Sequence, residues 1–436
     1  MYKKYRIYHQ LRSLLSIAAV FLMCVACGDG SSATLMEGLG SHEGALSHDE
    51  NPSPSAETRD HNINANLELT FELHRQALPA AGNGMLSAFS VRQAFALLYA
   101  GSATNTKTDV AEVIGFDEDI DIALEAINAV NDTLESYQLP ADQELEAVQL
   151  RTANAFFGRE GTTFIPDYLD TVSRHLGTGI FSADFVNDPE GSRQTINQWV
   201  EDQTETRIKD LLPGGTITSD TLAVLTNAVY FKAPWQSKFE ADYTGDGEFT
   251  LDDGTDVTVP LMRQTGHFSH LSNEELMGIE LPFRGNKLAM TLLSPTSSSL
   301  SEFESHLNVE KWQSIIATMQ PGNVSIVLPK FEFETGTISL KGALTMLGLG
   351  SIFGSADLSA MVPGLSLFIS DVLHKTFVKV DEGGTEAAAA TAIIVDTESA
   401  AEPPSLTISL TQPFVFAIRD IESGQILFFG RVSDPR

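Results

Sequence analysis

The stretch Glu382-Gly383-Gly384-Thr385-Glu386-Ala387-Ala388-Ala389-Ala390-Thr391 decides how this chain is read. Its local preferences conflict. Four alanines after a glutamate favour helix, whereas the glycine pair before them and Thr391, Ile393, Ile394 and Val395 after them do not. Sorted by strand parity, one face of positions 385 to 398 carries Thr385, Ala387, Ala389, Thr391, Ile393, Val395 and Thr397. The other carries Glu386, Ala388, Ala390, Ala392, Ile394, Asp396 and Glu398, so every charge lies on that side. Two readings fit. The segment is an Ala-rich linker or surface helix, or it is an exposed loop that can enter a sheet as a strand with one buried face.

The C-terminal residues favour the second reading. Pro413-Phe414-Val415-Phe416-Ala417-Ile418-Arg419-Asp420, a polar turn with Gly424, and Ile426-Leu427-Phe428-Phe429-Gly430-Arg431-Val432 form two apolar strands. They end almost at Arg436. A buried C-terminal hairpin just after an insertable loop resembles the serpin family. Further segments carry the same resemblance across residues 60 to 436. They are Ser87-Ala88-Phe89-Ser90-Val91 with Ala94, Leu97, Leu98 and Tyr99; Asn105 to Thr108 leading to Val113-Ile114-Gly115-Phe116; and Ile196-Asn197-Gln198-Trp199-Val200 with Thr204, Ile208, Leu211 and Leu212. Asn227-Ala228-Val229-Tyr230-Phe231-Lys232-Ala233-Pro234-Trp235, Leu328-Pro329-Lys330-Phe331, Ala356-Asp357-Leu358-Ser359 and His374-Lys375 before Phe377 to Val380 complete the set. Ala88 stands where the family usually has proline, and Gly383 where it often has glutamate or alanine.

The resemblance implies an α+β fold of three β-sheets and about eight or nine helices, with an exposed reactive-centre loop over about 382–404. It implies a suicide-type inhibitor of serine or cysteine endopeptidases. The protease attacks the loop as a substrate and forms an acyl-enzyme; the cleaved loop then inserts into the main sheet and traps it as a one-to-one covalent complex. The hinge is Glu382 through Thr391, with Gly383 and Gly384 absorbing the dihedral change. Counting from Gly384-Thr385 with the usual family loop length places the reactive bond between Glu398 and Ser399. Asp396, Thr397, Ala400 and Ala401 are the alternatives. His374 is implied to join Ser87, Ser90 and Asn227 in a polar cluster beneath the parting strands, and Trp235 to mark where the loop enters. The alternative is a non-inhibitory member serving as a carrier or surface structural protein. Charged or proline residues in the hinge would favour that alternative, and the inward hinge face has neither.

The rest of the chain is consistent with one large domain behind a leader. Its 436 residues, 42% hydrophobic, suffice for a substantial core. Lys3, Lys4, Arg6 and Arg12 precede an apolar run from Leu14 to Ala26, which is signal-peptide architecture. Cys27, followed by Gly28 and Asp29, resembles a bacterial lipobox cysteine, with Cys24 where leucine is usual. Residues 1–27 therefore read as an exported leader lipidated at Cys27, placing the protein outside the cell or in its envelope. A plain signal peptide is the other reading. Residues 28–62 are polar and turn-rich and read as a flexible tether, with the domain at 63–436 and helical periodicity from Leu67, Phe71 and Leu78.

The formal net charge of −31 argues against nucleic acid, heparin-like polyanions and anionic membranes as partners. Asp132 to Glu146, where some serpins carry a basic helix, holds acids and no Lys or Arg. A monomer without cofactors is expected. The chain has no Gly-x-Ser-x-Gly elbow, His-Glu-x-x-His helix or Gly-Lys-Ser/Thr phosphate loop, so no enzyme chemistry is read. His267 and His270 lack nearby carboxylate or thiolate partners, and no metal is assigned to them.

Overall fold

The computed structural model describes residues 39–142, 146–177, 180–364, 369–385, 404 and 406–436. Among these it has nine α-helices and nineteen strands. The strands form two hydrogen-bonded networks where the resemblance implied three sheets. The difference lies in the strand Asp256–Ser272, which changes partner along its length. It pairs with Gly245–Thr250 at its start, with Gln320–Pro329 over Leu261 to His270, and with Leu276–Pro282 at its end. Two groups of strands are thereby joined into one ladder.

The first network runs in the order Gly40–His42, Ile180–Ala183, Ala155–Arg159, Ala223–Pro234, Gly384–Thr385, Phe377–Val380 and Phe331–Glu334. Ala223–Pro234 is its central strand and is buried on nearly every residue. The short strand Val372–Lys375 lies parallel to it, pairing Leu225 to Ala228. Beneath runs the helix Ala88–Gly101, buried along its whole length, as expected of a helix with no polar stripe. Its first residues form the floor under the central strand. The second network ends in the predicted hairpin, Phe414–Asp420 with Ile426–Val432, whose last strand pairs Gly84–Leu86. Phe414, Phe416 and Phe428 are among the largest fully buried side chains.

Residues 39–62 correct the expectation of a flexible tether over 28–62. Gly40, Ser41 and His42 add an edge strand opposite Ser182, Phe181 and Ile180. The chain then crosses two helices, Pro166–Leu176 and Ile120–Ser136. Gly44 N donates to Ser173 Oγ at 2.8 Å, Asp49 N to Arg174 O at 2.8 Å and Ser53 N to Glu125 Oε1 at 3.0 Å, while Asp49 O accepts from Asn128 Nδ2 at 2.8 Å. The next helix starts at Ala56, capped by Ser55, eleven residues before the first periodic leucine, Leu67. Backbone hydrogen bonds order this strap, and a polar composition does not reveal them. Residues 1–38, with the leader and Cys27, lie outside the described residues.

Candidate functional site

The hinge begins as a tight hairpin. Asp381 N donates to Gly384 O at 3.0 Å and Gly384 N to Asp381 O at 3.3 Å, which turns the chain back alongside Phe377–Val380. Thr385 then pairs with Val380 on one side and Ala233 on the other. It is 2% exposed, and its hydroxyl accepts from Ala233 N at 3.1 Å and donates to Ala233 O at 3.3 Å. Only glycine fits before it. Gly384 has φ +147°, and a Cβ there would lie 2.2 Å from Ala233 O.

Side chains clasp this turn. Trp235 Nε1 donates to Asp381 O at 3.0 Å, and Trp235 N to Gly383 O at 2.9 Å. The indole stacks on Phe283 with ring centroids 4.7 Å apart. Phe239 N donates to Glu382 O at 3.0 Å, and Lys330 Nζ lies 2.8 Å from Glu382 Oε2. Burial pushes the Glu382 carboxyl up, but Lys330 and its other partners outweigh burial and leave it below its ordinary value. Burial dominates at Asp381 and raises it.

Below the hinge the sheet is parted. Ala228 is paired with Lys375, but five residues further on Thr385 separates Ala233 from Val380. The gap therefore widens from about 4.8 Å to about 9.6 Å over roughly 17 Å of strand. No ladder pair joins 229–232 to 376–379 among the described residues. This is a wedge-shaped slot one strand wide at its top.

A polar cluster sits at the closed end of the slot. Ser87 N donates to His374 Nε2 at 3.1 Å, so the neutral ring carries its proton on Nδ1 and donates it to Asn227 Oδ1 at 2.5 Å. Asn227 Nδ2 donates to Ser90 Oγ at 2.5 Å and Asn154 Oδ1 at 2.9 Å, and Ser90 Oγ to Asn154 Oδ1 at 3.3 Å. The Ser87 hydroxyl instead caps the helix, accepting from Ser90 N at 3.0 Å. His374 is fully buried, and burial lowers its pKa to about 4. The ring is thus held neutral in the structure.

The structure brings Ser87, Ser90, Asn227 and His374 together in one hydrogen-bonded cluster, the grouping that the resemblance implied. It places Trp235 apart from them, at the hinge. Asn154 was missed although it joins Ser90 to Asn227; its signal was a lone amide between Ala153 and Ala155. Thr376 and Thr335 were also missed. Their hydroxyls lie 2.7 Å apart, and Thr376 Oγ1 donates to Met85 O at 3.0 Å. Glu386 to Thr391 of the hinge, together with Asp396, Thr397, Glu398, Ser399, Ala400 and Ala401, lie outside the described residues.

The chain matches the family described as Serpin (serine protease inhibitor) over residues 64–435. It is a serpin. Serpin B4 of Homo sapiens is 35% identical over 85% of this serpin and 98% of its own length. The leukocyte elastase inhibitor of Sus scrofa is 36% identical over 85% and 98%. An uncharacterized serpin-like protein of Thermococcus kodakarensis is 34% identical over 86% of each. Among solved structures, the thermophilic serpin tengpin in its native state has TM-score 0.77 and 26% identity, covering 90% of this serpin and 97% of tengpin. Uncleaved ovalbumin has TM-score 0.76 and 26% identity, covering 86% and 99%. The family is one of protease inhibitors, and the leukocyte elastase inhibitor is named as one among these relatives.

Proposed function

We propose that this serpin is a suicide inhibitor of serine or cysteine endopeptidases that traps the acyl-enzyme by inserting its cleaved loop into the slot. The observation carrying this reading is the seat of Thr385 between Ala233 and Val380. Continuing that register, Ala387 would fall beside Phe231, Ala389 beside Val229, and Thr391 between Asn227 and His374. Phe231, Val229 and Asn227 point into the core, so the inward positions call for small uncharged side chains, and the sequence supplies them. On the outward face Glu386 would fall between Lys232 and Lys379, which flank the slot at matching positions. Ladder bonds made along the slot and burial of Ile393 and Val395 drive the change.

The reactive bond in this reading is Glu398–Ser399, suited to a protease with a basic primary pocket. Incubation with a glutamyl endopeptidase should give a denaturant-stable band containing both proteins and release a C-terminal peptide whose mass begins at Ser399. A peptide beginning after Asp396, Thr397, Ala400 or Ala401 moves the bond to that alternative. Absence of any stable complex with serine or cysteine proteases removes the inhibitory reading. We also read residues 1–27 as an export leader lipidated at Cys27. Labelled fatty acid should enter the wild type and not Cys27→Ser.

A further inference from the structure

The chain between Thr385 and Leu406 leaves the first network at the hinge and rejoins the second at the strand Leu406–Ser409, parallel to Val324–Val327. One segment spans these two roots. Its first end is fixed at the hinge: Phe239 N donates to Glu382 O, and the Thr244 hydroxyl lies close to the Glu382 carboxylate. Its far end is fixed past the other root, where Thr250 N donates to Thr411 O at 2.9 Å. Between them lie the turn Ala241–Tyr243 and the strand Gly245–Thr250, which alone covers about 20 Å at ~3.4 Å per residue.

The segment's exposed side is unusual for a folded surface. Tyr243 is 65% exposed, among the few large hydrophobic side chains that reach solvent here. The strand alternates, with Phe249 buried and Asp246, Glu248 and Thr250 exposed, so its carboxylates share one outward face. Asp256 adds to that face, pairing opposite Thr250, and Asp242 is exposed beside Tyr243. Among the described residues none of Asp242, Asp246 or Glu248 is in an ion pair. A solvating surface accounts for the acids but not for a tyrosine left outside the core beside the hinge.

We propose that Tyr243 with Asp246 and Glu248 forms a second contact surface for the target protease, selecting one that is cationic beside its cleft. This rests on the inhibitory reading. A protease that engages a bond in the loop must overhang the segment joining the loop's roots, so this face continues the interface the loop begins. An exposed tyrosine offers a rigid amphipathic anchor, and the carboxylates steer a basic partner and raise its association rate. The surface acts before cleavage and has no part in insertion.

The test compares wild type with Tyr243→Ala and Asp246→Lys/Glu248→Lys against two serine proteases that cleave the loop, one cationic and one anionic. With the cationic protease, the association rate constant should fall about fivefold in the first variant and tenfold or more in the second. Salt dependence should flatten in the charge variant, and the stoichiometry of inhibition should stay unchanged in both. The anionic protease should discriminate little against the charge variant. Reversible binding of the cationic protease, its catalytic serine changed to alanine, reads docking without trapping. If it binds wild type and loses affinity for the variants while no covalent complex forms, the inhibitory reading fails and the surface stands. Association rates and reversible binding that are unchanged in both variants overturn the surface, whether or not trapping occurs.

Discussion

Thr385→Arg tests the slot most directly. Thr385 is buried against the core face with Ala233, Phe231 and Val229, and its own polar bonds are the two to Ala233. A guanidinium there would lose both bonds and enter an apolar wall formed by Ala233, Phe231 and Val229. An uncompensated buried charge costs about 3–5 kcal/mol. The starting form avoids this cost by releasing position 385 from its seat, so insertion must bury the arginine anew. If about 3 kcal/mol is felt in the transition state, insertion slows roughly 150-fold. The acyl-enzyme is partitioned between insertion and hydrolysis, so the stoichiometry of inhibition is one plus the ratio of hydrolysis to insertion. A wild type near one would become essentially a substrate, with the released protease fully active and the loop cut at the same bond. The measurement is residual protease activity against inhibitor-to-enzyme ratio, with the cleaved products resolved by mass. A stoichiometry within twofold of wild type would refute the slot as the route of insertion.

Three further outcomes are expected. His374 has a folded pKa of about 4 against an ordinary 6.5, so the unfolded chain binds more protons between these values. Its contribution is complete above pH 6.5 and is lost as pH falls toward 4, amounting to roughly 3 kcal/mol. In urea titrations the stability gap between wild type and His374→Gln should narrow across that window; a constant gap would place the acid sensitivity elsewhere. Nicking the loop with a non-target protease should raise the melting temperature followed by circular dichroism, and an equal or lower value would mean that the loop does not insert. Gly44→Val, whose Cβ would lie 2.4 Å from Leu169 O, should unseat the strap at a cost of about 1–3 kcal/mol. Unchanged denaturant midpoints in that variant would show that the strap is not packed there.

What the sequence made legible depended on pattern. The C-terminal hairpin announces itself by apolar runs around a turn, and the hinge by its glycines and face asymmetry. The partners of the polar cluster came from the resemblance to serpins, since a lone histidine in a strand does not name them. Features held by backbone or by single contacts left no such mark. The strap is ordered by main-chain bonds to Ser173, Arg174, Glu125 and Asn128, which any polar sequence could make. The first turns of the helix at Ala56 face solvent, so their periodicity begins only where burial does. Asn154 joins its network through tertiary placement, because the loop between its two strand segments brings it beneath Asn227. The double seat of Thr385 follows from register, and register is set by the whole sheet.

The pairing of Gly84–Leu86 with the last strand has a consequence for how the chain comes to be folded. Leu86 opposes Phe429, and Asn83 holds Ser433 and Asp434 through its side chain. The next residue after this strand, Ser87, carries the N–H on which His374 rests. The floor of the slot therefore lacks its outer wall until the strand Ile426–Val432 has left the ribosome. Until then the seat of Thr385 has no finished floor beneath it. Synthesis order thus delays the seating of Thr385 between Ala233 and Val380 until the strand Ile426–Val432 has been made.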